Sequence, residues 1–353
     1  MGAGMVHLWL RAETRANEAR TGLTPEGAAA LIARGFRVSV EESADRCLPL
    51  AGYLAAGCQA VPHGGWPDAP DEAIILGLKE LPEGEMPLRH RHILFGHAYK
   101  GQPAGQRLLR RFRAGGGVLY DLEALVDEAG RRVAAFGHWA GFAGAGVAAL
   151  AHAAQARGGI SGPVARFADS GGMIADVAQA LQGLRPPRVL IIGARGRVGR
   201  GAAEFCAALG LPVTEWDIEE TAHGGPFPEV LAHEIFLNCI LAAPGCPVFL
   251  PATALGMPRA LRVVGDIACD PGAEFSPVRV YDRATDWARP ALRVAAGPVL
   301  DVVAIDNLPS LLPVESSLDF AAQLLPHLLA LESPDAGVWA RARQAFERHV
   351  RAC

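Results

Sequence analysis

The sequence predicts an α/β fold with parallel sheets, divided between two domains. Short apolar segments alternate with helical segments along most of the chain, a pattern typical of strand–helix–strand units. A glycine-rich turn between an apolar strand and a helix begins at Gly193, well into the chain. The length of 353 residues also exceeds the roughly 100–200 residues typical of one domain.

The first half of the chain supplies one strand–helix series. Residues 6–10 form the first predicted strand, and Thr24-Pro25-Glu26 begins a helix, with Thr as the N-cap and Pro in the first turn. Gly35 ends this helix, and residues 36–41 alternate as a second strand. Further strands are predicted at 74–78, 93–96 and 117–120, with a helix at 104–114.

The composition changes at residues 136–156, which are rich in glycine and alanine. Small residues at this density permit close packing and predict a long helix crossing between the domains. A loop at 157–164, a helix near 173–184 and a break at Pro186-Pro187 precede a second series of strands and helices from Arg188. Residues 316–351 are predicted to be helical and to return to the first domain.

A dinucleotide site is predicted at the glycine-rich turn. The apolar strand 189–192 runs into Gly193, Gly196 and Gly199, and a helical pattern follows. Residues without a Cβ let the backbone bend sharply and approach a pyrophosphate, which binds the N–H groups at the start of the helix. The alternative is a turn that merely packs a helix on a sheet.

The residue after the next strand bears on cofactor choice. Strand 213–216 ends in Asp217, about 20 residues past the loop, where a carboxylate accepts hydrogen bonds from the ribose and repels a 2′-phosphate. This favours NAD over NADP. Because arginine accommodates a 2′-phosphate, three residues of the loop leave the strictness of that preference open: Arg195, Arg197 and Arg200.

Lys79 and His97 are the candidate catalytic pair. Each follows an apolar strand, at the edge where open α/β sheets bind ligands. A lysine with a lowered pKa can take a proton from an amine, and a histidine that titrates near neutrality can pass protons to and from water. The alternative is a structural role for both. Surface salt bridges are the alternative for the candidate carboxylate clamps Arg11, Arg15, Arg131 and Arg132, and for Glu80 and Glu123.

Composition excludes several other classes of protein. The net charge of −4 argues against a nucleic-acid binder, which usually carries a basic face. No apolar run reaches the ~18–20 residues of a membrane span, and the N-terminus lacks a secretory pattern, so we expect a cytoplasmic protein. The seven cysteines contain no CxxC pair and the His90–His92 pair has no neighbouring ligands, so no metal is expected.

Several blocks of sequence together resemble the NAD-dependent, lysine-forming saccharopine dehydrogenases. They occur in family order from residue 7 to about residue 349: RAETRANEARTGLTP (11–25), GLKELP (77–82), HAYK (97–100), LYDLE (119–123), GRRVAAFG (130–137), AGFAGA (140–145), WDIEET (216–221), GGPF (224–227) and IDNLPSLLP (305–313). The resemblance implies two Rossmann-like domains with parallel sheets and a cleft between them. We expect the substrate domain to comprise residues 1–135 plus 313–353, and the NAD domain residues 136–312.

The resemblance also implies a reaction. Family members oxidise saccharopine with NAD to an imine, which is hydrolysed to lysine and 2-oxoglutarate. Lys79 corresponds to the base that deprotonates the secondary amine, and His97 to the acid–base group of imine hydration and carbinolamine collapse. Glu80 and Glu123 correspond to carboxylates that tune the charge of the site. The implied substrate contacts are Arg11, Lys79, Gln102, Arg132 and Phe136. The implied NAD contacts are Arg131, Gly196, Arg197, Asp217, Thr221, Leu241, Ile305, Asp306, Asn307 and Leu308.

Three departures from the family pattern leave the amino substrate open. Val198 stands where family members can carry a cysteine able to pair with one matching Cys239. Ala268 replaces a serine near the substrate, and Leu241 stands where a tyrosine can flank the cofactor. The alternatives are a related opine- or alanine-dehydrogenase-like enzyme and a non-catalytic NAD-binding regulator. The oligomeric state stays open, a monomer included.

Overall fold

The structure, a computed structural model, describes residues 5–241, 243–269 and 271–353. The chain divides into two compact units, residues 5–135 with Ser316–Cys353 and Phe136–Glu315. The strands are β1 (His7–Leu10), β2 (Arg37–Glu41), β3 (Gln59–Val61), β4 (Ile74–Leu76), β5 (Arg91–Leu94), β6 (Val118–Asp121), β7 (Val189–Ile192), β8 (Val213–Trp216), β9 (Ile235–Asn238), β10 (Val263–Asp266), β11 (Leu292–Ala296) and β12 (Val299–Val303). The helices are α1 (Pro25–Ala33), α2 (Leu50–Ala55), α3 (Pro103–Gly115), α4 (Gly137–Ala156), α5 (Ser170–Leu181), α6 (Arg197–Ala208), α7 (Ile218–Thr221), α8 (Pro228–Ala232), α9 (Pro313–Leu329) and α10 (Gly337–Arg351).

The first unit contains a six-stranded parallel sheet in the order β3-β2-β1-β4-β5-β6. All four residues of β1 are buried, as expected of a central strand covered on both faces. The chain moves outward in opposite directions from β1 and from β4, so these neighbours form the point at which strand order reverses. Open α/β sheets bind ligands beyond the carboxyl ends of strands at such a point.

The helix predicted at Thr24 begins as expected. The Thr24 hydroxyl accepts a hydrogen bond from the Gly27 N–H at 3.0 Å, and Pro25 occupies the first turn. The prediction of one helical segment at 316–351 is wrong, since two helices, α9 and α10, occupy this region. Pro334 lies between them, and proline disfavours a helical conformation in the residue before it.

The second unit has its own six-stranded sheet, in the order β11-β12-β10-β9-β7-β8. Every pairing is parallel except that of the edge strand β11 with β12. Alternate residues of β7 pack into cores on opposite faces: Val189 and Ile191 on one, Leu190 and Ile192 on the other. The predicted α/β class with parallel sheets is confirmed, with strand order reversing here between β7 and β9.

The glycine- and alanine-rich segment forms α4, whose residues all fall in the second unit. It packs so closely against α6 that the backbones of the two helices are in contact. A Cβ added at Gly141 would lie 1.8 Å from the Val198 carbonyl oxygen, and one added at Gly201 would lie 1.9 Å from the His138 carbonyl oxygen. The two helices approach this closely because neither contact residue has a side chain.

Among the residues that the structure describes, no helix is both long and apolar enough to cross a bilayer. Within the same residues, no cluster of three or more His, Cys, Asp or Glu side chains is arranged to hold a metal ion.

Candidate active site

The polar residues singled out in the first half of the chain converge on one edge of the first sheet. Arg11 follows β1, Lys79 lies three residues past β4, His97 follows β5 and Glu123 follows β6. These strands are adjacent and parallel, so their carboxyl ends meet at the same edge, at the reversal of strand order. The sheet therefore brings together residues that are more than a hundred positions apart in the chain.

His97 lies between two carboxylates. Its Nδ1 is 3.3 Å from Glu123 Oε1, and its Nε2 is 3.6 Å from Glu80 Oε1. The hydrogen bond to Glu123 raises the pKa of His97 and outweighs the opposing effect of burial. The same contact lowers the pKa of Glu123 to about 2, and the Lys100 Nζ, 3.6 Å away, acts in the same direction. Glu123 is itself placed by its backbone N–H, which donates to Asp121 Oδ1 at 2.9 Å.

The His97 backbone has a φ of +47°, in the left-handed region that non-glycine residues seldom occupy. Strained conformations of this kind cluster at functional sites, where the surrounding structure holds them. With the His97 backbone in this conformation, the imidazole lies between Glu80 and Glu123.

Hydrogen bonds fix both the backbone N–H and the backbone carbonyl of Lys79. Its N–H donates to Glu13 Oε2 at 3.0 Å, while the preceding Leu78 N–H donates to Glu13 Oε1 at 2.7 Å. The Lys79 carbonyl accepts a hydrogen bond from Arg11 Nη2, and the same nitrogen lies 3.3 Å from Glu13 Oε2. Burial raises the pKa of Glu13, although Arg11 and the two backbone donors oppose it. The side chain of Lys79, which is half-buried, thus projects from a fixed peptide.

A buried ion pair lies beside this lysine. Arg20 donates to Glu18 through Nε at 2.8 Å and Nη2 at 2.6 Å, in a bidentate contact. Burial would raise the pKa of Glu18, but the charge and hydrogen bonds of Arg20 outweigh it and lower the pKa. The Lys79 ammonium adds to that lowering. Sequence reasoning missed Glu13 and the Glu18–Arg20 pair as site residues. The signal that could have identified them was the run of charged residues in the loop between β1 and α1.

The residues expected to contact the substrate lie in three settings. Arg11 is 2 % exposed and its guanidinium is engaged by Glu13 and Lys79, so it positions the loop. Arg132 is exposed, and its charge contributes to lowering the pKa of Glu123. Gln102 is exposed and immediately precedes α3, whereas Phe136 begins the second unit. Of the nucleotide candidates, Arg131 lies in the first unit, with Nη2 3.0 Å from Asp127 Oδ2.

The glycine-rich turn of the second unit has the local geometry that an anion-binding turn requires. Gly193 has a φ of +88°, and a Cβ added at Gly199 would lie 2.2 Å from the Gly193 carbonyl oxygen. Gly196 is the N-cap of α6, and within the described chain no side chain caps this helix start. Its first N–H groups are therefore available to a phosphate, with the helix dipole favouring negative charge. Arg197, the first residue of α6, is exposed beside them.

Asp217 follows β8 and organises the loop beside it. Its Oδ2 accepts from the Arg195 N–H at 2.9 Å, and its Oδ1 accepts from the Ile218 N–H at 3.0 Å. The Asp217 N–H donates to Glu220 Oε2 at 2.7 Å, which completes a capping box at the start of α7. The buried Thr221 donates its hydroxyl proton to the Asp217 carbonyl at 2.9 Å.

A cavity of about 710 Å³ opens at the reversal of strand order in the second sheet. Gly193 and Asp217 border it on one side, and the exposed side chains of Ile218 and Leu241 provide apolar surface. A volume of this size suits a nucleoside. Sequence reasoning did not identify the wall formed by residues 243–247, which has no motif of its own.

The remaining predicted nucleotide residues follow β12. Ile305, Asn307 and Leu308 are buried, and Asp306 is exposed. The Asn307 Oδ1 accepts from the Ser310 hydroxyl at 2.9 Å. The segment is thus a packed turn at the carboxyl edge of the second sheet, with Asp306 as its exposed polar member.

Comparisons with known proteins show which family and fold this chain resembles. The family model for the alanine dehydrogenase/PNT N-terminal domain matches residues 9–143. A saccharopine dehydrogenase (NAD⁺, L-lysine-forming) of Neurospora crassa is 45% identical, over 97% of this chain and 96% of its own length. The enzyme of the same name from Schizosaccharomyces pombe is 42% identical, over 98% of both. A solved transhydrogenase from Sinorhizobium meliloti shares the fold, with a TM-score of 0.66 and 18% identity over 95% of this chain and 97% of that one.

Proposed function

We propose that this chain, which belongs to the family of NAD-dependent, L-lysine-forming saccharopine dehydrogenases, oxidises saccharopine and releases L-lysine and 2-oxoglutarate. The observation that carries the mechanism is that Lys79 and His97 lie at one edge of the first sheet. Glu13 fixes the Lys79 backbone, and Glu123 fixes the His97 ring. The small molecules that it acts on are saccharopine, or lysine and 2-oxoglutarate in the reverse direction.

The glycine turn, the uncapped start of α6 and Asp217 fit NAD. Together they offer backbone N–H groups that can donate hydrogen bonds to the phosphates and a carboxylate that can accept hydrogen bonds from the ribose hydroxyls. NAD, when bound, accepts a hydride from the carbon that carries the substrate nitrogen. The residues that would hold it are Gly196, Arg197, Asp217, Thr221, Leu241 and the turn from Ile305 to Leu308.

Lys79 acts as the base. It takes the proton of the secondary amine, so that the nitrogen lone pair can form the C=N bond of the imine as the hydride leaves. Its peptide is clamped by Glu13 and Arg11, which fixes the origin of the side chain. Proton transfer of this kind typically contributes about 10²–10⁴-fold to the rate.

His97 then handles the protons of hydrolysis. It accepts a proton from the water that attacks the imine carbon, and it returns a proton to the nitrogen as the C–N bond of the carbinolamine breaks. Glu123 holds Nδ1 and raises the pKa of the ring, which stabilises the protonated form midway through this sequence. His97, neutral again after this transfer, takes the hydroxyl proton of the carbinolamine as the ketone of 2-oxoglutarate forms, and the nitrogen departs with lysine.

The test is the reverse reaction. Purified protein is given NADH, 2-oxoglutarate and one of lysine, ornithine, alanine or no amine, and NADH oxidation is followed by absorbance. We expect turnover that requires lysine. Turnover with another amine instead would reassign the substrate to a related opine or alanine-dehydrogenase-like reaction. NADH binding without turnover with any amine would favour a non-catalytic regulator.

The Lys79→Met variant tests the base. We expect a loss of about 10²–10⁴-fold in kcat with NADH binding retained, because Lys79 belongs to the unit without the glycine turn. Partial recovery of activity in Lys79→Ala on addition of ethylamine would separate lost proton transfer from misfolding. Unchanged kcat in Lys79→Met would refute the assignment.

A further inference from the structure

An ion pair flanks the ribose corner of the nucleotide site. Arg195, in the glycine-rich turn, forms a bidentate contact with Glu219, with Nη2 3.1 Å from Oε2 and Nη1 3.3 Å from Oε1. We propose that Glu219 enforces the preference for NAD over NADP by holding the Arg195 guanidinium away from the position of a 2′-phosphate. This inference rests on the proposed function, since it concerns the same cofactor.

The Arg195 backbone is hydrogen-bonded to Asp217, the proposed acceptor for the ribose hydroxyls. Its backbone N–H donates to Asp217 Oδ2 at 2.9 Å, so its Cα is fixed next to that carboxylate. Its side chain is long and exposed, and a planar guanidinium matches a phosphate with two parallel hydrogen bonds. Without a partner, this guanidinium would therefore be free to pair with a 2′-phosphate beside Asp217.

Glu219 removes that possibility. It lies two residues after Asp217, in the first turn of α7, and its carboxylate occupies the Nη1–Nη2 edge of the guanidinium, which a phosphate could otherwise bind. The contact also raises the pKa of Arg195. A 2′-phosphate would have to displace this carboxylate and would meet its negative charge as well as that of Asp217.

The neighbouring glutamate has a different task. Glu220 accepts from the Asp217 N–H at 2.7 Å and completes the capping box of α7, so it supports the local backbone. The two adjacent carboxylates are thus separated by role: Glu220 holds the helix start, and Glu219 holds the arginine. Replacing Glu219 leaves the capping box intact.

The experiment measures cofactor binding without substrate. NADH and NADPH are titrated into wild type, Glu219→Gln and the double variant Arg195→Gln/Glu219→Gln, and the fluorescence of the bound cofactor gives each Kd. Glu229→Gln, which changes an exposed glutamate of α8 that does not line the cavity, is the matched control. Each variant is checked by circular dichroism.

We expect Glu219→Gln to tighten NADPH binding about fivefold, the size of one exposed charge contact, with NADH binding changed less than twofold. The double variant should lose this gain, and the control should match wild type. An unchanged NADPH-to-NADH ratio in Glu219→Gln would overturn the proposal, and so would a gain that persists without Arg195.

The proposed reaction and the proposed role of Glu219 can be refuted independently. If NADH binds but saccharopine is not turned over, the proposed reaction is wrong while the Kd ratios still decide the role of Glu219. If wild type binds neither NADH nor NADPH, both the proposed reaction and this inference are refuted.

Discussion

A methyl group added to α4 at Gly141 tests whether the close approach of α4 and α6 stabilises the second unit. In Gly141→Ala the new carbon would lie 1.8 Å from the Val198 carbonyl oxygen and 2.9 Å from the Ala202 nitrogen. Real Cβ contacts stay beyond 3.0 Å, so the helices must separate by more than an ångström. Both neighbouring atoms belong to the backbone and cannot rotate away.

The expected net cost is about 2 kcal/mol. Overpacking of a core costs about 1–3 kcal/mol, and a contact between two backbones belongs at the upper end of that range. Alanine in place of glycine in a helix returns about 1 kcal/mol. Because the first-turn N–H groups of α6 belong to the proposed NAD site, we also expect weaker NADH binding in Gly141→Ala.

Urea unfolding followed by tryptophan fluorescence measures the effect, since Trp139 lies on α4. The control is Gly172→Ala in α5, where the added carbon would make an ordinary 3.5 Å contact with Asp169 Oδ1. We expect this control to be as stable as wild type or slightly more so. Equal stability of Gly141→Ala and Gly172→Ala would refute the packing argument.

Three further predictions concern the first unit. Glu123→Gln should lower the pKa of His97, because the carboxylate that raises it is neutralised, so the limb of the pH–rate profile that His97 governs should move to lower pH; a stationary limb would contradict this. Glu13→Ala removes the acceptor of two backbone N–H groups and the partner of a buried guanidinium, so urea unfolding should show a loss of about 3 kcal/mol, and Glu13→Gln a smaller one. The pKa of Glu18 is lowered in the fold, so its ionised form stabilises the protein above pH 4.5, and this contribution is lost as the pH falls through the lowered pKa. The stability gap between wild type and Glu18→Gln should therefore narrow as unfolding is repeated at decreasing pH, and a constant gap would show that Glu18 is not the titrating group.

Local signals predicted the elements that depend on local sequence. The Thr24-Pro25 start of α1, the glycine turn and Asp217 were predicted from residues that act on their immediate neighbours, and the structure has them in those places. The prediction of one final helix was wrong. The helical pattern of residues 316–351 looks continuous in the sequence, whereas in the structure the chain breaks near Pro334 and forms two helices.

The burial of charged residues could not be predicted from local sequence. Arg11 was a candidate carboxylate clamp, with a surface salt bridge as the alternative, yet it is 2 % exposed and Gly77, just after β4, provides the space for its guanidinium. A Cβ at Gly77 would lie 2.2 Å from Arg11 Nε. The contact joins residues 66 positions apart, and only the pairing of β1 with β4 brings them together. Glu13 was missed for the same reason.

The order of segments along the chain has a consequence for how the molecule is made. The second unit is one continuous segment, whereas the first unit is assembled from residues 5–135 and Ser316–Cys353. Its core includes late residues: the Phe320 ring lies 5.9 Å from that of Phe95, and the Trp339 ring 5.3 Å from that of Tyr120. During synthesis from the N-terminus, the second unit can therefore reach its native state before the first unit does, because the sheet that carries Lys79 and His97 is completed only after α9 and α10 have been synthesised.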